Sequence, residues 1–458
     1  MSKMLALVVW QLRYTWKAWV GSLVVLTAAG LVLGFTLIGA VSTISVHLDH
    51  GNFNPVDFFA MPAVFGLITL VLVISGVIRL LIDKFKDDYR LWAILGAKPN
   101  QLALLIGGQM SLAGMVGGCL GYFLSLPMVD KYYAWVITTR GMREFPAINM
   151  KLQLSSLILT ILLLGTFTGV IGFINGKRTF TNGHQRRCLT KKRKFGLSLI
   201  GWFWCVITCG SLSYVYSLFY QKPKYLLMLF GSQSLEDTYS QALLGLIITM
   251  IIATHASERL ILPVLVKALA VVFPATIIKT FKIAYWHVLR KTDFLRSVTM
   301  PLFIFSLVSS YFMYMIVDLA NVANKRNLSE IIGTLILFLG APFLIILANT
   351  ISLTIISRPE RTASSRQLQI IGLSLKDLLH EKGVEAGIYG LIVFIQGVIG
   401  NALLFIPILK ASDYTQTQMY DSWWSIVEWP AATGIMVFLF ILIVDGSYIY
   451  KISVSNSQ

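Results

Sequence analysis

Ten mostly apolar runs, each about 20 residues or longer, dominate this chain and limit what it can fold into. They lie at roughly 18–46, 60–82, 102–126, 153–175, 196–219, 239–257, 298–320, 332–356, 385–408 and 431–450. A helix of that length matches the ~30 Å hydrocarbon thickness of a bilayer. Only 13% of the residues are charged and 56% are hydrophobic, whereas soluble domains carry about 25% charged residues. A water-soluble core has no use for so much apolar surface. The expected fold is therefore an all-α polytopic membrane protein with about ten transmembrane helices.

The formal charge of +17 has a topological explanation. With the N-terminus in the cytoplasm and ten alternating spans, 29 of the 38 Lys and Arg fall inside, while the 21 acids divide into 10 inside and 11 outside. That bias predicts a multi-pass protein of the cell membrane with both termini cytoplasmic. The apolar run after Lys17 exceeds the ~7–15 residues of a cleavable signal core, so it is expected to be the first span. Eight Lys and Arg and no acid occupy 175–195, a topology anchor that also suits anionic lipid headgroups. No basic face interleaved with aromatics stands apart from the membrane flanks, so nucleic acid is not an expected partner.

Several chemistries lack their residues. There is no G-x-x-x-x-G-K-[ST], so the chain cannot cradle ATP in a P-loop, and no H-E-x-x-H, G-x-S-x-G or C-x-x-C occurs. Cys205 and Cys209 share a helix face but have no third or fourth ligand at metal-site spacing, and packing is their default role. His47, Asp49 and His50 offer three potential ligands in a short outer loop, without a fourth. No catalytic residue, cofactor or metal site is expected. Ionisable residues within or beside the spans (Glu258, Arg259, Glu385, Asp445) all fall near a predicted interface, which disfavours an ion-coupled carrier. The aromatics Tyr132, Tyr133, Trp135, Trp423, Trp424 and Trp429 are expected to form an interfacial belt.

The chain also repeats itself. RLWAILGAKPNQLALLIGGQMSLAGMVGGCLG, from Arg90, aligns without a gap on RQLQIIGLSLKDLLHEKGVEAGIYGLIVFIQG, from Arg366, at an offset of 276. Gly96, Gly107, Gly114 and Gly121 fall on Gly372, Gly383, Gly390 and Gly397; Trp10 falls on Trp286. In both copies a polar helix leads into an apolar, glycine-spaced helix. Gly96 and Gly372 are expected to end a short helix at a bend. The later glycines are expected to let helices pack closely. Upstream of each copy lies an amphipathic stretch, 4–19 and 277–295, suited to the bilayer surface. Six spans separate the two starts, so the copies are expected to be parallel, about an axis along the membrane normal.

Asp87-Asp88-Tyr89-Arg90, then Ile94-Leu95-Gly96-Ala97, a polar step, a leucine run and a glycine-spaced helix resemble the FtsX-like permeases of the MacB superfamily of ABC transporters. The second copy departs at Leu373-Ser374 and at Ser364-Ser365, while Glu385 fits a glutamate common at that position in the family. The resemblance implies two four-helix modules joined by two linking helices. An interfacial helix at 1–19 precedes a first module at 20–175. A basic loop at 176–195 and linking helices at 196–275 follow. A second interfacial helix at 276–297 then leads into a second module at 298–458. It implies no enzyme activity of the chain's own, because ATP would be bound by a separate ATPase homodimer of the MacB or FtsE kind. The segments 83–101 and 357–377 would transmit its motion. By carry-over the ATPase-coupling residues are Asp87, Asp88, Arg90, Gly96, Lys98, Arg366, Gly372 and Lys376. Family members that act on substrates outside the membrane carry large extracellular domains, and the outer loops here are too short for one. The expected function is thus a permease extruding a lipid-anchored or amphipathic substrate such as a lipoprotein, peptide or antimicrobial. The alternative is a non-transporting signalling complex that drives an outer partner such as a cell-wall hydrolase.

Overall fold

A computed structural model describes residues 2–44, 56–139, 152–186, 199–230, 235–272, 280–290, 292–322, 328–415 and 424–456. Every regular element among them is helical. In chain order they are α1 (Ser2–Tyr14), α2 (Trp16–Ile44), α3 (Val56–Lys84), α4 (Lys86–Ile94), α5 (Pro99–Thr139), α6 (Leu154–Arg186) and α7 (Leu199–Leu218). Then follow α8 (Pro223–Phe230), α9 (Leu235–Val272), α10 (Phe281–Arg290), α11 (Thr292–Val322), α12 (Leu328–Ile370), α13 (Leu375–Thr415) and α14 (Ser425–Asn456). The helical state follows from the absence of water. A backbone in hydrocarbon satisfies its amides internally or leaves them unpaired at a cost of several kcal/mol each.

Nine of the described helices are long and apolar enough to cross a membrane, so the chain is a multi-pass membrane protein. Each expected span has a helix in its place. The fifth, α7, is not among the nine counted over the described residues.

The helices outrun the expected spans. α5 has 41 residues and α12 has 43, about 60 Å or more each, twice the hydrocarbon thickness. The C-terminal end of α5 was expected to be loop and is helical to Thr139. Packing explains the extension. Val129 and Tyr133 on that end join Ile38, Phe59 and Tyr122 in one buried cluster, with Phe35 and Tyr132 edge to face at 5.2 Å. Of the aromatics expected in an interfacial belt, Tyr132, Tyr133 and Trp135 thus pack on one another and on their neighbours. Trp424 is 72% exposed, while Trp429 sits edge to face on Phe305. Trp423 lies outside the described residues.

The chain divides into two compact units. The first comprises Met1–Lys192 with Ile332–Arg361; the second comprises Arg193–Ile331 with Thr362–Gln458. The first boundary falls within the expected basic loop. The second does not match the expected domain 298–458, because most of α12 belongs with the first unit. Its contacts there are close: Phe338 meets Phe65 edge to face at 6.4 Å, and a Cβ at Gly66 would lie 3.2 Å from Ala341.

Within the first unit α5 packs between α2 and α6. A Cβ added at Gly121 would strike the backbone of α2 at Thr27, Gly30 and Leu31, and one at Gly34 would lie 2.8 Å from Ser125 Oγ. Within the second unit α13 packs against α11, α14, α10 and α9, and most residues of α11 between Phe294 and Tyr314 are buried. There Gly397 lies against Ser306, and Asn401 Nδ2 donates to Ser310 Oγ at 2.6 Å. Adding 276 to Gly30, Gly34, Gly121 and Ser125 gives Ser306, Ser310, Gly397 and Asn401, so equivalent positions meet in each unit.

Candidate functional site

The repeated segment builds the same backbone device twice. At the end of α4 the Gly96 amide donates to Ala93 O at 3.2 Å and the Ala97 amide to Trp92 O at 3.0 Å. At the end of α12 the Gly372 amide donates to Gln369 O at 2.9 Å and the Leu373 amide to Leu368 O at 3.1 Å. This pair of bonds is a Schellman turn. It requires a left-handed residue, and Gly96 and Gly372 supply it with φ of 95° and 102°. Space around them is open, since a Cβ at either would meet nothing within 4 Å.

The following helix start repeats as well. Gln101 Oε1 accepts from the Lys98 amide at 3.0 Å. Asp377 Oδ2 accepts from the Ser374 amide at 3.3 Å, while Ser374 Oγ accepts from the Asp377 amide at 3.2 Å, closing a capping box. Just inside, Leu102 and Leu378 are buried equivalents. Each device is an elbow: a helix end, a glycine turn, a capped helix start. Lys98 and Lys376 are exposed at the two elbows, among the exposed apolar side chains Ile94, Leu95, Ile370 and Ile371.

The other expected coupling residues are placed as follows. Asp88 is exposed on α4. Asp87 and Arg90 lie on α4 and Arg366 on α12, but their side chains fall outside the described set. Tyr89, between them, is the residue that the sequence reading passed over. It is 2% exposed; its hydroxyl donates to Gln109 Oε1 at 3.1 Å, and its ring meets Phe180 edge to face at 5.8 Å. Burial, reinforced by the Asp88 charge, pushes its phenol far above the ordinary range, so it stays a neutral donor. Tyr89 thereby ties α4 to α5 and α6.

Of the packing glycines, Gly107 lies against Gly169 and Phe173, Gly114 against Leu164 and Gly165, and Gly121 against α2. Gly390 and Gly434 face each other, each built Cβ falling 2.9–3.0 Å from the other's carbonyl, and Gly397 meets Pro430. Gly383 departs from expectation: a Cβ there would meet nothing within 4 Å.

Buried charged residues on α13 form a second feature, one that sequence reasoning missed. Glu381 and Glu385 are fully buried and Lys382 is 5% exposed. The Lys382 ammonium lies 2.5 Å from Glu385 Oε2 and 3.3 Å from Glu381 Oε2. His287 reaches in from α10, with Nδ1 3.0 Å from Glu381 Oε1, and the charge of Asp445 on α14 also acts on Lys382. Separately, Arg296 Nε donates to Glu258 Oε2 at 2.5 Å, and Thr299 Oγ1 donates to Glu258 Oε1 at 3.1 Å. Glu258, Glu385 and Asp445, placed near an interface by sequence, are thus buried among partners inside the protein.

The interfacial helices are shorter than expected, at Ser2–Tyr14 and Phe281–Arg290. α10 buries Phe281, Ala284 and Val288 and leaves Trp286 exposed. α1 buries Val8 and leaves Val9 and Trp10 exposed; Trp16, which opens α2, is exposed as well. Cys205 is buried and Cys209 exposed. His47, Asp49 and His50 lie outside the described residues, as does 187–195 of the expected basic loop, whose first part, to Arg186, is helical in α6. Comparison with family models, curated proteins and solved structures gives no match to this chain.

Proposed function

We propose that the chain is the membrane-spanning permease subunit of an ABC transporter of the FtsX-like kind. On this reading it holds two parallel four-helix modules joined by α7 and α9, ten spans in all, with both termini cytoplasmic. The observation that carries the proposal is the pair of elbows. Two exposed helix–glycine–helix turns with matching hydrogen bonds recur 276 residues apart, each feeding a 41-residue helix, α5 or α13. A chain without a P-loop that displays the same turn twice is suited to gripping two copies of one partner. An ATPase homodimer is that partner.

In this account the ATPase subunits seat on the elbows around Gly96 and Gly372, with Asp87, Asp88, Arg90, Lys98, Arg366 and Lys376 as the polar rim. Their closure pushes on the first turns of α5 and α13. Tyr89 carries the first push into α5 and α6 through Gln109 and Phe180. The work is extrusion of a lipid-anchored or amphipathic substrate that enters from the bilayer, because the outer loops are short.

The test is biochemical. Purified alone, the chain is expected to hydrolyse no ATP. Co-expressed with the ATPase encoded beside it, it is expected to purify with two ATPase copies and to gain hydrolysis. Hydrolysis traced to the isolated chain, or a stable complex with one ATPase copy, contradicts the proposal.

A further inference from the structure

We propose that His287, Glu381 and Glu385 form a binding site for one divalent transition-metal ion, Zn²⁺ by donor chemistry, that fastens the interfacial helix α10 to the first turns of α13. Their ligand atoms, an imidazole nitrogen and two carboxylate oxygens, already lie within 4.8 Å of one another. Donors around a tetrahedral ion with ~2.0–2.1 Å bonds sit roughly 3.3 Å apart, so a modest inward movement completes the set. A mixed imidazole and carboxylate set suits Zn²⁺ and, more weakly, Mn²⁺; Mg²⁺ prefers an all-oxygen octahedron and keeps its waters. Three protein ligands leave a fourth position for water, and the half-buried His287 gives a route in.

A second observation points to a cation. Lys382 already puts one there, its ammonium seated against both carboxylates. Glu381 Oε2 is buried and receives no hydrogen bond among the described residues, although that ammonium lies 3.3 Å away. Two carboxylates (Glu381 and Glu385) thus face one ammonium and one imidazole at this place, and the charge of Asp445 also acts on the ammonium. A metal ion entering the site displaces Lys382 from Glu381 and Glu385, and the Asp445 charge that already acts on it receives the ammonium. The same ion replaces the proton shared between His287 Nδ1 and Glu381 Oε1.

The repeat supplies an internal control. At the offset of 276 the first copy has Gln11, Leu105, Ile106 and Gln109 in place of His287, Glu381, Lys382 and Glu385. None of these is a good ligand for such an ion. The site is therefore built once per chain, at α10 and α13, and has no counterpart at α1 and α5.

The experiment needs no ATPase, so it stands or falls apart from the proposed function. The full chain, purified in detergent and stripped of metal with a chelator, is titrated calorimetrically with Zn²⁺, then with Mn²⁺ and Mg²⁺. One Zn²⁺ per chain is expected, bound more tightly than Mn²⁺, with Mg²⁺ inert. H287A and E381Q are expected to weaken Zn²⁺ by at least about 10-fold, the smallest loss seen even for residues that only support a ligand. Lys382→Met is the variant that separates a metal site from an ordinary ion pair. By removing the competing cation it should tighten Zn²⁺ binding, and Zn²⁺ should raise its melting temperature more than that of the wild type. If H287A does not fold, the wild-type shift on Zn²⁺ and its reversal by chelator, together with Lys382→Met, still decide the matter. Saturable binding that H287A leaves intact marks adventitious surface histidines and overturns the site. So do two ions per chain, no stoichiometric binding, or weaker binding in Lys382→Met.

Discussion

The first turns of α5 and α13 occupy equivalent places in the repeat, yet they are held by opposite means. At α5 the residues are Leu105, Ile106 and Gln109, and Gln109 accepts a hydrogen bond from the neutral Tyr89 phenol. At α13 the equivalents are Glu381, Lys382 and Glu385, with His287 on α10 where α1 carries Gln11, and Ser365 where α4 carries Tyr89. One elbow is anchored by apolar packing, one hydrogen bond and an aromatic contact; the other by a buried charge cluster. The lesson is physical. Apolar packing holds a helix whatever ions surround it, whereas buried charges hold it only while every partner is present. In the proposed permease, a duplicated device with one anchor of each kind would transmit the same push twice and be adjusted at one side only.

The largest expected effect breaks the charged anchor. Lys382→Ile, which installs the first-copy residue alone, leaves two buried carboxylates without their ammonium and should destabilise the chain by about 3–5 kcal/mol. The triple change Glu381→Leu, Lys382→Ile and Glu385→Gln imports the whole neutral set. It should be neutral or stabilising by about 1–4 kcal/mol relative to the native chain. Thermal melts in detergent measure both, and a triple variant no better than the single would dissolve the contrast between the two anchors.

A smaller effect concerns what the elbows share. Gly96→Ala and Gly372→Ala each force an L-residue into a left-handed turn with open space around it, at about 1–2 kcal/mol apiece. The two costs should be equal, because the turns have the same hydrogen bonds. Unequal costs would show that the copies differ in backbone as well as in anchor. The smallest effect sits at the neutral anchor. Tyr89→Phe removes one buried hydrogen bond, keeps the ring packing, and should cost about 1 kcal/mol, with no dependence on added metal.

The sequence alone made most of the architecture visible, because period and length carry it. Ten apolar runs have ten helices in their places, and the glycine turns stand where the polar step follows Leu95 and Ile371. What stayed hidden depends on contacts across the chain. His287 lies 94 residues from Glu381, and on its own it looks like any polar residue of an interfacial helix. The signal that could have found it is the difference between the copies: wherever the second substitutes a titratable group for Gln11, Leu105, Ile106 or Gln109, the exchange marks the cluster. The length of α5 was hidden for a similar reason, since Tyr133 and Val129 gain their helix from packing on Phe59 and Ile38. Nor could local spacing show that 332–361 clusters with the first unit.

The central claim is that both elbows are seats for one kind of partner on one side of the membrane. Lys98→Cys and Lys376→Cys, exposed at the two turns, put a reporter at each. Labelling with a membrane-impermeant maleimide in intact cells, and in inverted vesicles with and without the ATPase subunit, tests the claim directly. The account predicts no labelling of either cysteine in intact cells, labelling of both in inverted vesicles, and protection of both once the ATPase is bound. Labelling of either from outside, or equal labelling rates with and without the ATPase, would contradict it.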